Sequence, residues 1–404
     1  MRTFRQIHPI LAALRSHKTA VTLLVLEIAL TMAILGNLVF IVYGTLQRSH
    51  TPTGVAESRI GLIQSIGVIG EDSSGTLAAD LAALKGTPGV DDAAYGAPPL
   101  WYASTSPLFL DPGRSHAAAS AYEFLGSQGL SDTLGVRIVS GKNFTLEELP
   151  DASQWGQIKE LPVLITRALA QKLFPTGHAL GQMFYDGNTA MRVTGVIEHL
   201  RGEITGRETD DYSVIIEYRV GVQDMGGGFL IRAHDATQLP RALRAAAAAL
   251  QKINPAHVQS QVVTMPELRA KYFRSDLATG RMLVAIILIL LVVTALGVSG
   301  LASFWVQQRR RQIGMRRALG ATRGDILRYF QIENFLIVTG GVLLGALFAY
   351  ALNLFLMHRF ELAHLPANYM LAGAVALWLL GQLAVLGPAL RAAAVPPVVA
   401  TRGV

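Results

Sequence analysis

The chain has 404 residues, 51% hydrophobic and only 16% charged, with a mean hydropathy of +0.38; an ordinary soluble domain is about 25% charged, so a wholly soluble protein is excluded. Cysteine is absent, which excludes a disulfide framework, a thiolate zinc site, an iron–sulfur cluster and a cysteine nucleophile. The formal net charge of +7 follows the apolar runs rather than a folded domain, so it is no argument for nucleic-acid binding.

Residues 1–18 carry Arg2, Arg5, Arg15 and Lys18 without an acid, and residues 19–47 are apolar apart from Glu27. A helix needs about 20 apolar residues to cross a hydrocarbon core, so 19–47 is the first predicted transmembrane helix. It is longer than the roughly 7 to 15 apolar residues of a signal peptide and no A-x-A site follows, which reads as an uncleaved anchor. Glu27 is a candidate functional group because an acid in hydrocarbon is costly. Snorkelling toward the interface near Lys18 is the competing reading.

Residues 48–280 have mixed, globular composition. The early part reads as strand 59–69, helix 76–85 and strand 90–97; the late part reads as strand 228–233, helix 238–253 and strand 258–264. Two βαβ units at the two ends of the insert predict a split α+β lobe, with a second lobe inserted at about 110–205. Within the latter, 135–140 and 191–197 read as strands and 167–174 as a helix. Gly135 to Asn143 does not fit a phosphate loop: five residues separate its glycines and Asn143 follows Lys142, so the segment reads as a turn between extended segments. The ten histidines are scattered without metal-ligand spacing. No catalytic, cofactor or metal site is expected.

Three more transmembrane helices are predicted at 282–306, 331–357 and 365–388. Lys and Arg are retained on the cytoplasmic side. The segment 306–330 holds seven arginines against Asp325 and the tail 389–404 holds Arg391 and Arg402, whereas 46–281 holds 21 basic and 24 acidic residues. Both termini and the loop 307–330 are therefore expected inside, with 48–280 and the hairpin 358–361 outside. Ala295, Ser299 and Ser303 recur every four residues on the second span, and Gly341, Gly345 and Ala349 on the third. Both stripes let helix backbones approach.

The loop runs Gln312-Ile313-Gly314-Met315-Arg316-Arg317-Ala318-Leu319-Gly320-Ala321-Thr322. It predicts a short basic helix stopped near Gly320 and a second helix restarting at Thr322, where Thr322 and Asp325 have capping-box spacing. This stretch resembles the signature of the MacB and FtsX family of ABC transporter permeases. Leu134 to Phe144, Ala168 to Pro175, Leu180-Gly181-Gln182 and Val193 to Ile197 are also similar to that family. The family commonly has Glu where Gln312 stands, and its terminal pattern is altered around Pro396 to Arg402.

The resemblance implies a fold of four transmembrane α-helices with an α+β extracytoplasmic domain, in a multi-pass protein of the bacterial inner membrane. It implies a subunit that hydrolyses nothing itself, with no cofactor, coupled through Gln312 to Thr322 to a cytoplasmic ABC ATPase. Because the first span begins so near residue 1, that ATPase is expected on a separate polypeptide. The implied dimer partner is a second permease copy or a paralogue; it places Ala295, Ser299 and Ser303 at the seam, and the Gly341 stripe inside the subunit. Members of the family export antibiotics, peptides or lipoproteins, some with a periplasmic adaptor and an outer-membrane channel. Others regulate a periplasmic partner such as a cell-wall hydrolase, which is the alternative function. Membrane lipids are the remaining expected partner.

Overall fold

A computed structural model describes residues 18–66, 73–101, 105–151, 158–219, 227–255, 257–360 and 366–396. Residues 1–17 and 397–404, which supply part of the charge asymmetry and the altered terminal pattern, lie outside the described residues. The chain divides into two compact units, Gln47–Ser275 and the remainder.

Helix α1 (Lys18–His50) leads into the α/β unit. There β1 (Ile60–Ile66), α2 (Ser73–Lys85) and β2 (Val90–Gly96) come first. The middle holds β3 (Thr105–Phe109), β4 (Ala117–Ser127), α3 (Leu130–Leu134), β5 (Ile138–Gly141), β6 (Glu160–Thr166), α4 (Arg167–Leu173), β7 (Met183–Asp186), β8 (Thr189–Ile197) and β9 (Ser213–Tyr218). The last part is β10 (Gly228–Ala233), α5 (Leu239–Ile253), β11 (Val258–Thr264) and α6 (Met265–Tyr272).

The first and last parts share one antiparallel ladder in the order β11-β1-β10-β2. Leu239, Leu243, Ala246 and Leu250 lie on one side of α5 and are buried, as helical periodicity requires of an amphipathic face. Leu77 and Leu84 of α2 join the same core as Ile63, Val90, Phe229 and Ile231. The middle part does something the sequence reading did not anticipate. Its ladder runs β4-β3-β7-β8-β6-β9, and β9 then pairs in parallel with β4, so six strands close on themselves. Closure removes the edges on which unwanted strand pairing begins. The ring also reaches beyond 110–205, to Thr105 on one side and Tyr218 on the other. Gly135 to Asn143 is not a turn between two extended segments: Gly135, at φ 68°, terminates the one-turn helix α3, and β5 begins only at Ile138. Five residues of helix are too few to give a periodic signal.

Between Thr53 and Arg269 the two ends of this unit are fastened together. Arg269 of α6 donates to both Glu57 oxygens (2.7 and 2.5 Å) and to the Ser49 carbonyl (3.0 Å). The Thr53 amide and hydroxyl donate to Glu57 Oε1 (3.1 and 2.5 Å). Burial raises the Glu57 pKa, but these bonds outweigh it and hold the carboxyl below its usual value.

The second unit contains α1, α7 (Arg274–Gln308), α8 (Arg310–Ala318), α9 (Arg323–Phe360) and α10 (Ala367–Ala393). Helices α1, α7, α9 and α10 are long and apolar enough to cross a membrane. Leu24, Ile28, Met32 and Leu35 of α1 pack with Val298 and Trp305 of α7, Val338 and Val342 of α9, and Leu377 of α10. A Cβ at Gly345 would lie 2.5 Å from the Ala29 carbonyl oxygen and 2.6 Å from Met32 Cβ, and one at Gly341 would lie 2.6 Å from Ile28 Cγ2. The glycine stripe of α9 is thus where α1 approaches it.

Two predictions follow from this packing. Glu123 of β4 and Asp186 of β7 share a hydrogen bond, Ser106 also bonds Glu123, and Tyr218 lies close to both acids. Burial first, then the neighbouring Asp186, raises the Glu123 pKa from 4.5 to about 7; burial raises that of Asp186 too. A raised acid favours the folded state at low pH, and that benefit fades as pH rises from the unfolded value through the folded one. The full chain in detergent should therefore lose thermal stability between pH 4.5 and about 7, by on the order of a few kcal/mol. Glu123→Gln should flatten that decline; an unchanged slope would refute the assignment. Separately, Gly345→Ala should cost roughly 1–3 kcal/mol through overpacking, whereas Gly300→Ala, with nothing within 4 Å, should leave the melting temperature unchanged.

Candidate functional site

The arginine-rich segment folds as a short helix between two long ones. Helix α7 stops at Gln308, Arg309 interrupts it, and α8 follows from Arg310. The Leu319 amide donates to Met315 O (3.1 Å), the Gly320 amide to Arg317 O (3.1 Å) and the Ala321 amide to Arg316 O (3.0 Å). Gly320 takes φ +98° with nothing within 4 Å of a would-be Cβ, so its requirement is conformational rather than steric. Helix α9 then starts with the expected capping box. The Asp325 amide donates to Thr322 Oγ1 (3.2 Å), and the Thr322 amide and hydroxyl donate to Asp325 Oδ2 (3.0 and 2.6 Å).

The two sides of α8 differ. Ile313 and Gly314 are buried, and Ile313 shares a core with Ile326 and Phe330 of α9, Ala389, Ala392 and Ala393 of α10, and Val395. On the outer side Met315 is 58% and Leu319 82% exposed, flanked by exposed Arg311, Gln312 and Ala318. Two large apolar side chains at i and i+4 among cations form the pattern by which a helix docks into a groove. Arg316 lies over the Tyr329 ring, 4.8 Å from its centroid. Arg317 turns inward and donates to the carbonyls of Ala393 (3.1 Å) and Val395 (2.7 Å). Adjacent in sequence, Arg316 and Arg317 thus have separate attachments within the chain, one on an aromatic face and one on carbonyls.

Sequence reasoning missed a third attachment. Arg309 Nη1 donates to both oxygens of Glu333 on α9 (2.9 and 3.0 Å), and the Glu333 side chain is 2% exposed. The charge count of 306–330 stops just short of Glu333, the one acid at the head of the third apolar run, and that acid was the available signal.

Of the other expected sites, Ala295, Ser299 and Ser303 are half-buried on α7, beside the bundle-facing Thr294, Val298 and Ala302. Ser303 Oγ donates to its own helix at Ser299 O (2.8 Å). The outermost side of α7 carries Leu288, Ile289, Val292, Leu296 and Phe304. Glu27 faces α7: a Cβ at Gly297 would lie 2.5 Å from its carboxylate. One turn on, the buried hydroxyls of Thr31 and Thr294 bond at 2.9 Å. Among the described residues no three His, Cys, Asp or Glu side chains gather as metal ligands.

Residues 19–249 match the MacB-like periplasmic core domain and residues 284–397 match the FtsX-like permease C-terminal family. The chain is 29% identical over 273 residues to the macrolide export ATP-binding/permease protein MacB 1/2 of Paracoccus denitrificans, covering 66% of this chain and 40% of that protein. It is 25% identical over 221 residues to the uncharacterized ABC transporter permease YknZ of Bacillus subtilis, covering 54% of each. To the pyoverdine export ATP-binding/permease protein PvdT of Pseudomonas savastanoi it is 29% identical over 239 residues, covering 57% of this chain and 36% of that protein. The periplasmic region of MacB from Actinobacillus actinomycetemcomitans aligns with 56% of the chain and 97% of that structure, at 11% identity and a TM-score of 0.36. The chain thus spans between about a third and just over half the length of these curated relatives. With one family model covering more than half of its residues and the other the rest of its apolar helices, the chain belongs to the MacB/FtsX-like family of ABC transporter permeases and is a multi-pass protein of the bacterial inner membrane.

Proposed function

We propose that this chain is the transmembrane part of an ABC exporter in which an ABC ATPase pushes on α8 and the α/β domain moves in response, with no substrate passing between the four helices. The exposed Met315–Leu319 side of α8 carries this reading, because a basic helix with two outward apolar anchors needs a partner surface. The arginine-rich segment belongs on the cytoplasmic side, where basic residues are retained, so the α/β domain lies outside. Its two parts act as two lobes, the open ladder β11-β1-β10-β2 and the closed ring. A second permease chain, identical or paralogous, packs along α7. Relatives named for macrolide export and pyoverdine export support efflux as the direction of transport; the cargo would be a compound such as an antibiotic, peptide or lipoprotein, and an adaptor with an outer-membrane channel would complete the path.

Single cysteines can be introduced cleanly because the chain has none. With an impermeant thiol reagent on spheroplasts, Ser115→Cys should label and Gln312→Cys should not; the reverse would overturn the orientation. Met315→Asp with Leu319→Asp should reduce copurification of the ATPase about tenfold, equivalent to about 1.4 kcal/mol. Gly320→Val, strained by roughly 1–2 kcal/mol at positive φ, should keep the ATPase bound and turning over while the export phenotype is lost. Unimpaired export in both variants would remove the coupling role. A deletion strain changed in cell-wall hydrolysis but not in antibiotic or peptide susceptibility would replace export with regulation.

A further inference from the structure

We infer that α8 drives the fourth span as directly as the third, with Arg317 as the positioning residue that ties α8 to the carbonyl end of α10. The inference rests on the coupling role of α8 proposed above. By connectivity alone, α8 acts on α9 through Leu319 to Thr322. That corner is a poor strut: Leu319 is 82% exposed and Gly320 has open space around it. The contacts of α8 with α10 are better suited to carry a displacement. The last carbonyls of a helix lack intrahelical partners and mark its negative end. At α10 the Ala393 carbonyl and, just beyond the helix, that of Val395 receive the Arg317 guanidinium. Ile313 shares one buried cluster with Ala389, Ala392 and Ala393, whose side chains are small enough to let it settle among them.

The other end of α8 is fixed as well, through Arg309 and the buried Glu333 of α9. Helices α9 and α10 are in turn joined along their length. Phe335 stacks on Trp378 at 5.9 Å, Trp378 Nε1 donates to Thr339 Oγ1 (3.1 Å), and a Cβ at Gly381 would lie 2.7 Å from Val338 Cγ2. A push on α8 therefore reaches the third and fourth spans together, and these move as one body.

The test uses the full chain in lipid nanodiscs and pulsed EPR between spin labels at Met315→Cys and Leu390→Cys, both exposed. A reference pair at Leu343→Cys and Leu379→Cys, also exposed, reports on α9 against α10. With Arg317 present the first distance distribution should be narrow. Arg317→Ala should widen it about twofold while the reference pair stays narrow, as expected when a doubly bonded charged donor is lost. Arg317→Lys, which keeps a donor within reach but not the planar fork, should recover part of the narrowing. An unchanged width in Arg317→Ala overturns the inference. Should the alanine variant also widen the reference pair, the lysine variant decides: narrow reference labels with a 315–390 width between the two extremes support it, and a width equal to that of the unmodified chain overturns it. In cells, Arg317→Ala should retain the copurifying ATPase and its turnover and lose export. Loss of the ATPase itself would make Arg317 a docking charge and overturn the positioning role. If no ATPase copurifies even with unmodified Arg317, the proposed function fails while the EPR distances still report on the tie.

Discussion

Arg269 holds the Glu57 carboxylate with two donors at the place where the chain has just left α1 and is about to become α7. The carboxylate is half-buried there, and an acid in that position is retained in its charged form only because the guanidinium and Thr53 compensate for lost water. The roughly two hundred residues of ladder and ring between them are an insertion whose two ends must leave side by side. Without Arg269, the Glu57 carboxylate would keep only its Thr53 donors, and the Ser49 carbonyl would lose the guanidinium it shares with Glu57. The domain is thus anchored through its ends rather than through its core.

The same economy recurs at the opposite end of the apolar helices. Helix α8 is nine residues long, too short to be stable by itself, and it is held by three arginines used in three chemically distinct ways. Arg309 makes a buried ion pair, Arg316 lies on an aromatic face, and Arg317 caps a neighbouring helix. The cations expected to fix topology are also the fasteners of the helix. The large apolar side chains it turns outward are Met315 and Leu319, set among exposed Arg311 and Gln312.

Local rules were enough to read several elements from the sequence. The Thr322–Asp325 capping box, the amphipathic α5, the four apolar helices and the helix stop near Gly320 all depend on residues within a turn or two of each other. The closed ring was not legible because its closing pair, β4 with β9, is parallel and joins Tyr122 to Ser213. Nor do its strands advertise themselves: β4 begins Ala-Ala-Ala-Ser and β6 contains Pro162, which argues against a strand by itself. At the candidate site the loop segment was legible, whereas the inward turn of Arg317 and the Glu333 pair were not. Which way a long cation points is decided by carbonyls and carboxylates brought in from other helices.

The order β11-β1-β10-β2 has a mechanical consequence. The strand that follows α1 and the strand that precedes α6 and α7 are direct neighbours, with Gly61 opposite Thr264 at the attached end of the ladder. Tension applied between those two attachments would load the rungs one at a time, as in opening a zip, and not all together in shear. A zip of this kind yields at low force unless something bears the load ahead of its first tooth. The Glu57–Arg269 pair sits at that position, outside the first rung, with the Arg269–Ser49 bond and the buried Met265 and Leu268 of α6 beside it, so the load meets these contacts before it reaches the sheet.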